Sequence, residues 1–157
     1  MAEQPQWRRP DPGLLRLRRR LALLLVAAPG LLVSLALLLL SGPAEGAAGL
    51  VAATVLTGLV LVAVERRCAA WGYLEREDDL LVRRGVLVRR TSVVPYGRMQ
   101  YVDVTAGPLA RRYGLATVTL HTAAAATDAS IPGLLADEAS RLRDRLAALG
   151  EAQQAGV

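Results

Sequence analysis

Two long uncharged hydrophobic runs dominate the first part of the chain. Residues 21–40 contain no charged side chain, and residues 47–64 form a second uncharged run. At 1.5 Å per residue, a helix of twenty residues is about 30 Å long, which matches the hydrocarbon core of a bilayer. Pro29 and Gly30 lie inside the first run, where a membrane helix tolerates them as a kink. The pattern therefore predicts two membrane-spanning helices.

The segment between the two runs determines their arrangement. Residues 41–46 read Ser-Gly-Pro-Ala-Glu-Gly, a turn-forming stretch so short that it predicts an antiparallel helical hairpin. Arginines flank the hairpin on its outer sides and are absent from this segment: Arg16, Arg18, Arg19 and Arg20 precede the first run, and Arg66 and Arg67 follow the second. The positive-inside rule then predicts that both termini are cytoplasmic.

A cleaved signal peptide is the competing interpretation of residues 1–46. The basic start, the apolar run and the small residues at 44–48 all fit it. However, an uninterrupted run of twenty residues exceeds the usual hydrophobic region of a signal peptide, which is about 7 to 15 residues long. We therefore favour a retained span.

The pattern changes after the second run, where short apolar stretches alternate with charged and turn-forming residues. Such stretches, rich in β-branched residues and bounded by Gly, Pro or Asp, are typical of β-strands. The predicted strands cover residues 71–75, 80–84, 86–90, 99–105 and 116–122, with a short last strand beginning at Ile131 after a loop over 123–130.

A C-terminal helix is predicted from Leu135 to Gly150. Its apolar residues recur at a spacing of three and four, which places them on one helical face: Leu135, Ala139, Leu142, Leu146 and Leu149. The resulting division of the chain is a basic cytoplasmic segment (1–20), a membrane hairpin (21–64), a cytoplasmic domain (65–150) and a disordered tail (151–157).

Composition and charge narrow the class of protein further. Hydrophobic residues make up 53% of the chain although Phe is absent, and the formal net charge is +5. The charge imbalance is concentrated before the first hydrophobic run, with six arginines against Glu3 and Asp11 in residues 1–20. A nucleic-acid-binding protein is expected to carry its basic patch on the folded domain, so we predict no nucleic-acid partner. Cys68 has no second cysteine to form a disulfide with.

Several short motifs in the predicted domain occur in a specific order. The first is Val94-Pro95-Tyr96-Gly97-Arg98-Met99-Gln100-Tyr101-Val102-Asp103-Val104, followed by Gly107-Pro108-Leu109-Ala110-Arg111-Arg112-Tyr113-Gly114-Leu115-Ala116-Thr117. Further on come His121-Thr122-Ala123, Ile131-Pro132-Gly133-Leu134 and Arg141-Leu142-Arg143-Asp144. Together with two preceding spans, this ordered set over residues 15–150 resembles the bacterial pleckstrin-homology (PH) domain proteins of the YdbS-like family.

The resemblance implies a PH-like fold, a bent, barrel-like antiparallel sheet capped by the C-terminal amphipathic helix. It implies no catalytic activity, and it places the predicted spans in the inner membrane of a bacterial cell. We also predict no cofactor. The resemblance also implies a partner, because such proteins are often encoded beside a larger membrane protein with several related domains, and a role in envelope maintenance or stress tolerance. The chain departs from the family pattern at Tyr101, where His is common, and in the Ala-rich segment 123–126.

The family motif has a structural interpretation. Gly107 and Gly114 bracket a tight connection between strands, and Arg98 and Asp103 are placed to exchange hydrogen bonds with it. We therefore interpret the motif residues as structural rather than ligand-binding: Pro95, Arg98, Gln100, Asp103, Gly107, Pro108, Leu109, Arg112, Gly114 and Leu115.

Metal and nucleophile chemistry is not indicated. One His and one Cys do not make a metal site, and His121 has no partner at a spacing typical of a catalytic pair. The chain is therefore predicted not to be an enzyme.

Arginines instead suggest binding. The candidate residues for contact with anionic lipid headgroups are Arg66, Arg67, Arg76, Arg83, Arg84, Arg89 and Arg90. Pairing of these arginines with Glu75, Glu77, Asp78 and Asp79 on a solvated face is equally compatible with the sequence. A second hypothesis is a purely structural assembly subunit of a larger membrane complex, with no lipid recognition.

Overall fold

Two long apolar helices form the first part of the computed structural model, which describes residues 7–123 and 128–155. Helix α1 is Pro12–Leu40 and helix α2 is Pro43–Ala69, with mean hydropathies of 2.7 and 2.4 in their most apolar windows. Only 6% and 0% of those windows are buried, so both helices expose apolar surface, as a bilayer requires. Both predicted runs fall inside these helices. The connection is shorter than predicted, because only Ser41 and Gly42 separate the helices.

Small residues bring the two helices together. A Cβ added at Gly30 would lie 2.8 Å from the Cβ of Ala53, and one at Gly46 would lie 2.6 Å from the Cβ of Leu38. Close approach of this kind is how membrane helices pack without a hydrophobic driving force. The helices are also joined by an ion pair between Arg19 and Glu65. These contacts support the predicted antiparallel hairpin.

A π-helical turn interrupts α1 at Leu23–Ala27, one turn before Pro29. Proline has no N–H to donate to the carbonyl four residues earlier, and its ring crowds that carbonyl. A wider turn at this point relieves the crowding, which gives the physical cause of the irregularity expected at Pro29.

The described part of the domain contains six strands and two more helices. Their bounds are β1 Gly72–Glu75, β2 Asp79–Arg84, β3 Arg90–Pro95, β4 Met99–Thr105, α3 Pro108–Arg112, β5 Leu115–Thr122, β6 Ala129–Leu135 and α4 Ala136–Ala155. The strands form two three-stranded antiparallel sheets, in the orders β1-β2-β3 and β4-β5-β6. The predicted barrel-like closure is wrong for the described strands, because no strand pairing joins one sheet to the other.

Three predicted boundaries differ from the structure. The strand expected over 86–90 is a turn, and the chain becomes extended again only at Arg90. The last strand is longer than expected and includes Pro132 and Gly133. Helix α4 does not stop at Gly150 but continues to Ala155, so the residues described beyond 150 are not a disordered tail. Residues 124–127 of the predicted loop, and 156–157, lie outside the described residues.

The core lies between the sheets and α4. Ala139, Leu142 and Leu146 are fully buried on one face of the helix, as the spacing predicted, and Leu149 is partly buried beside them. Leu135, which the spacing placed on the same face, is instead the last residue of β6 and is exposed. The three buried residues pack in one cluster with the apolar side chains of the strands: Tyr73, Leu80, Val82, Val94, Tyr96, Met99, Ala116, Val118, Leu120, Ala129, Ile131 and Leu134.

Residues 7–14 are part of this domain rather than a separate basic segment. Chain contacts divide the molecule into two compact units, a membrane hairpin (15–66) and a unit that combines residues preceding it with residues 67 onward. Arg8 and Tyr73 exchange two backbone hydrogen bonds of 2.9 Å, and the N–H of Asp11 donates to the carbonyl of Gly133 at 2.7 Å. We call residues 7–14 the N-terminal strap.

Candidate functional site

The turn between β2 and β3 presents apolar side chains to solvent. The exposed fractions of Val86, Leu87 and Val88 are 40%, 98% and 68%. Gly85 has a φ of +105°, and a Cβ there would lie 2.0 Å from the carbonyl oxygen of Val88, so only glycine fits this turn. We call residues 83–90 the basic tip, because two arginines stand on each side of the apolar turn.

None of the four tip arginines has an acidic partner among the described residues. Within residues 7–123 and 128–155, no carboxylate oxygen lies within 4.0 Å of Arg84, Arg89 or Arg90. The guanidinium of Arg83 lies 4.6 Å from the ring centroid of Trp7, a cation–π contact with the strap. The alternative that these arginines pair with Glu75, Glu77, Asp78 and Asp79 is therefore wrong for the four at the tip, but it holds for Arg76, which pairs with Asp79.

The other predicted basic residues lie elsewhere. Arg76 is in the β1–β2 turn, 4.0 Å from Asp79, at the opposite end of the sheet from the tip. Arg66 and Arg67 are exposed on the last turn of α2. The structure thus brings together four of the seven predicted residues and separates Arg76 from them.

Strand register shows which end of the sheet carries the tip. Gly72, the first residue of β1, pairs with Arg83 near the end of β2. Only two residues separate Gly72 from the end of α2 at Ala69. β1 runs away from that point and the antiparallel β2 returns to it. The basic tip therefore lies at the end of the sheet where the chain arrives from its second apolar helix.

The strap meets the domain at an ionic cluster around Glu75. The Glu75 side chain is only 9% exposed, and its oxygens lie 3.5 Å from Arg8, 3.9 Å from Arg141 and 3.3 Å from Arg145. Nearby, the hydroxyl of Tyr73 donates to the Glu138 carboxylate at 2.7 Å. Burial first, and then this hydrogen bond, raises the pKa of Tyr73 to about 12.

The sequence analysis did not predict the strap. Only the start of the helix within it has a local sequence signal. An Asp before a Pro is a typical helix start, and here the Asp11 carboxylate accepts from the N–H of Gly13 at 2.6 Å. The helix therefore begins at Pro12, nine residues before the predicted span. The pairing of Arg8 with Tyr73 leaves no such local pattern, because those residues are separated by the whole hairpin.

The family motif builds the connections around the second sheet. Tyr96 is fully buried in a 3₁₀ turn, and its hydroxyl donates to the carbonyl of Arg76 at 2.9 Å. Burial raises its pKa to about 12. The motif then continues through β4 into α3. Its remaining members take these positions: Pro95 at the end of β3, Arg98 in the 3₁₀ turn, Gln100 and Asp103 on β4, Pro108, Leu109 and Arg112 in α3, and Leu115 buried at the start of β5.

Two details of the motif differ from the sequence interpretation. Gly114 has a φ of +65°, as expected for a tight connection, but Gly107 has an ordinary φ of −66°. No hydrogen bond joins Arg98 or Asp103 to the connection over 107–114 among the described residues. The structural role of these two side chains is therefore not the one predicted.

A groove lies between β4 and α4. Its volume is about 320 Å³, and β4 is an edge strand of its sheet, paired only with β5. The groove is lined by Met99, Gln100, Tyr101, Val102, Arg143, Leu146, Ala147, Gly150 and Glu151. An edge strand beside an open groove can accept an added strand.

His121 lies in a small polar cluster at the far end of β5. Its ring stacks on Tyr101 with centroids 4.3 Å apart, and its Nδ1 lies 3.1 Å from an oxygen of Asp128. The pKa of Asp128 is lowered, first by the hydrogen bond from the N–H of Thr122 and then by His121. No group of three or more His, Cys, Asp or Glu side chains capable of holding a metal occurs in the described part of the chain.

These features define a membrane protein with two apolar helices and a small α+β domain. The chain belongs to the bacterial PH domain family, which matches residues 20–150. Transmembrane protein YdbS of Bacillus subtilis (strain 168) is 40% identical to it over 90 residues. The match covers 57% of this chain and 55% of that relative, so the chain spans about half the length of the relative. No solved structure matches the chain. The predicted family and the membrane location are confirmed.

Proposed function

We propose that this chain is a non-enzymatic protein of the bacterial cell membrane, with two spans and both termini in the cytoplasm. On this proposal its PH domain binds anionic lipid headgroups through the basic tip. The same proposal treats the two sheets and α4 as a variant of the bent PH-like fold. The proposed function of the tip is binding through electrostatic and apolar contacts. We propose no catalytic reaction there.

The strap supports the topology. The strap ends in the first turn of α1 and the rest of the domain begins at the end of α2, yet both belong to one folded unit. They must therefore lie on the same side of the bilayer, which requires the intervening chain to cross an even number of times. Cleavage of a signal peptide near residues 44–48 would remove the strap from the domain, so the packing of the strap favours a retained hairpin.

Charge supports the cytoplasmic side. Arginines cluster near the start of α1, at positions 16, 18, 19 and 20, and near the end of α2, at positions 66 and 67. The connection between the two helices contains no arginine. Membrane proteins retain such arginines in the cytoplasm, where the leaflet also carries anionic lipids.

The unpaired tip arginines carry the headgroup proposal. Arg84, Arg89 and Arg90 have no carboxylate nearby among the described residues, and they lie where the chain arrives from α2. A guanidinium binds phosphate oxygens well, and each arginine near an anionic surface contributes about 1 kcal/mol. Three such residues, at the end of the sheet where β1 begins, can bind lipid phosphate.

The test uses the full chain in lipid nanodiscs. We expect amide hydrogen exchange in β2 and β3 to be slower in discs containing phosphatidylglycerol than in discs of phosphatidylcholine alone. Replacing Arg84, Arg89 and Arg90 by Gln should remove the difference, and raising the salt concentration should reduce it, because surface electrostatics are screened.

A charge-matched control separates local binding from net charge. Replacing Arg76, Arg98 and Arg143 by Gln removes the same charge from exposed positions outside the tip. This variant should keep the lipid-dependent protection. Equal exchange in both kinds of disc for the unmodified chain would contradict headgroup binding.

A second candidate function is assembly with a larger membrane protein. The open groove between β4 and α4 favours it, because Gln100 and Tyr101 present an edge strand to a partner segment. A photo-crosslinking residue at Gln100, used in native membranes, should then give one discrete crosslinked product. The same residue at Glu77, exposed at the β1–β2 turn, is the control and should not give it.

A further inference from the structure

The apolar residues of the basic tip require an explanation that headgroup binding does not supply. Leu87 is 98% exposed at the very end of a hairpin, and Val86 and Val88 beside it are exposed as well. Isolated exposed apolar residues are common on protein surfaces, but here three adjoin in one turn. A turn of this kind is ordinarily polar.

The order of side chains along the tip matches the order of layers in a bilayer. The apolar residues occupy the apex, and Arg84 on one side and Arg89 and Arg90 on the other stand further back along the strands. An apex that enters the acyl region would therefore place guanidinium groups at the depth of the phosphates. Long arginine side chains reach a polar layer in this way while their stems remain in apolar surroundings.

The backbone holds this shape. At Gly85 the chain turns so tightly that the carbonyl oxygen of Val88 occupies the space of a Cβ. The apex is thus a defined turn closed by β2 and β3, whose paired ends include Arg84 and Arg90. A preformed apex loses little conformational entropy on insertion.

We propose that Val86, Leu87 and Val88 insert into the acyl region of an anionic bilayer while Arg84, Arg89 and Arg90 bind the lipid phosphates. The inference rests on the proposed function and deepens it. A bilayer is the occupant that we propose, because the tip lies at the same end of the sheet as Gly72, and Gly72 follows α2 along the chain after two residues. The basic flanks also complement anionic lipid rather than an apolar protein surface.

The test places a fluorophore at the apex of the full chain. With Cys68→Ser to remove the native thiol, Leu87→Cys is labelled with an environment-sensitive dye, and the chain is reconstituted into phosphatidylglycerol vesicles. Glu77→Cys, exposed at the opposite end of the same sheet, is the matched control. Lipids with a nitroxide near the start of the acyl chain should quench the dye at 87 at least threefold more than the dye at 77.

A second substitution and a second lipid make the result decisive. Val88→Asp in the labelled Leu87→Cys chain should abolish the extra quenching, because a carboxylate opposes insertion. Equal, weak quenching at 87 and 77 would overturn insertion, including the case in which the apex binds a protein. If that result accompanied lipid-dependent hydrogen exchange, headgroup binding would stand without insertion. Strong quenching at 87 in phosphatidylcholine as well would support insertion and contradict the preference for anionic lipid.

Discussion

Glu75 shows how one carboxylate can join three parts of the chain. It lies on β1 and is approached by Arg8 from the strap and by Arg141 and Arg145 from α4. The arginines are about half exposed, whereas the carboxylate is 9% exposed. A buried carboxylate costs desolvation energy, and attraction to three nearby guanidinium groups offsets part of that cost.

Removing this charge should destabilise the domain. We expect Glu75→Gln to lower the free energy of unfolding by about 1 to 3 kcal/mol, because three arginines would converge on a neutral group. Urea unfolding of the full chain in detergent micelles measures this. Tryptophan fluorescence is a selective probe, since Trp7 and Trp71 both belong to the unit that contains the domain.

Asp144→Asn is the matched control for Glu75. Asp144 also pairs with an arginine, Arg143 at 2.8 Å, but its side chain is 68% exposed. Exposed ion pairs contribute about 0 to 1 kcal/mol, so this variant should unfold close to the unmodified chain. Equal losses for the two variants would contradict the importance of the Glu75 cluster.

At the scale of elements, the strap and β6 depend on one close contact. Gly133 has a φ of +73°, and a Cβ there would lie 2.6 to 2.9 Å from three side-chain atoms of Leu14. Leu14 is itself buried, and the neighbouring Asp11 donates its N–H to the carbonyl of Gly133. The strap thus lies directly on the backbone of β6.

Gly133→Ala should therefore displace the strap. Backbone strain and the clash with Leu14 together should cost about 1 to 3 kcal/mol of unfolding free energy, measured by the same urea experiment. Trp7 emission should also shift to longer wavelength as it loses its place over Arg83.

Gly107→Ala is the corresponding control. Gly107 has a φ of −66° and nothing within 4 Å of an added Cβ. Its substitution should leave stability and Trp7 emission nearly unchanged. A stable Gly133→Ala chain with unshifted emission would show that the strap does not depend on this contact.

Elements with a strong period were predictable, and elements made by distant partners were not. The two apolar helices and the buried face of α4 follow from runs of side chains that are visible within one segment. The strand at Arg90–Pro95 was missed because Arg90 and a Thr-Ser pair obscure its alternation, while residues 86–88 have strong strand propensity. Gly85 prevents residues 86–88 from forming a strand, because its positive φ turns the chain immediately before them.

The candidate site was predictable in its residues but not in its arrangement. Arg83, Arg84, Arg89 and Arg90 flank one glycine in the sequence, so their proximity follows from a hairpin. That the apex between them is exposed and apolar depends on the turn, and the separate position of Arg76 depends on the register of β1 with β2. Register is a property of paired strands, so a single segment does not reveal it.

At the scale of the whole molecule, the two flanks of the hairpin fold together. The strap is made first during synthesis, but its partners Tyr73, Glu75 and Gly133 follow both apolar helices. The domain can therefore be completed only after both apolar helices have been synthesised. If the two ends of the hairpin lay on opposite sides of the bilayer, the strap could not pack on the rest of the domain.

The proposed topology can be tested by thiol accessibility. In the Cys68→Ser chain, Glu45→Cys places a thiol at the connection between the apolar helices, and Glu77→Cys places one on the domain; both positions are exposed. A membrane-impermeant maleimide added to intact spheroplasts should label position 45, because the positive-inside rule places the arginine-free connection outside. Position 77 should react only after lysis. Labelling at 77 alone would show an inverted hairpin, and labelling at both would contradict a hairpin that keeps the domain on one side.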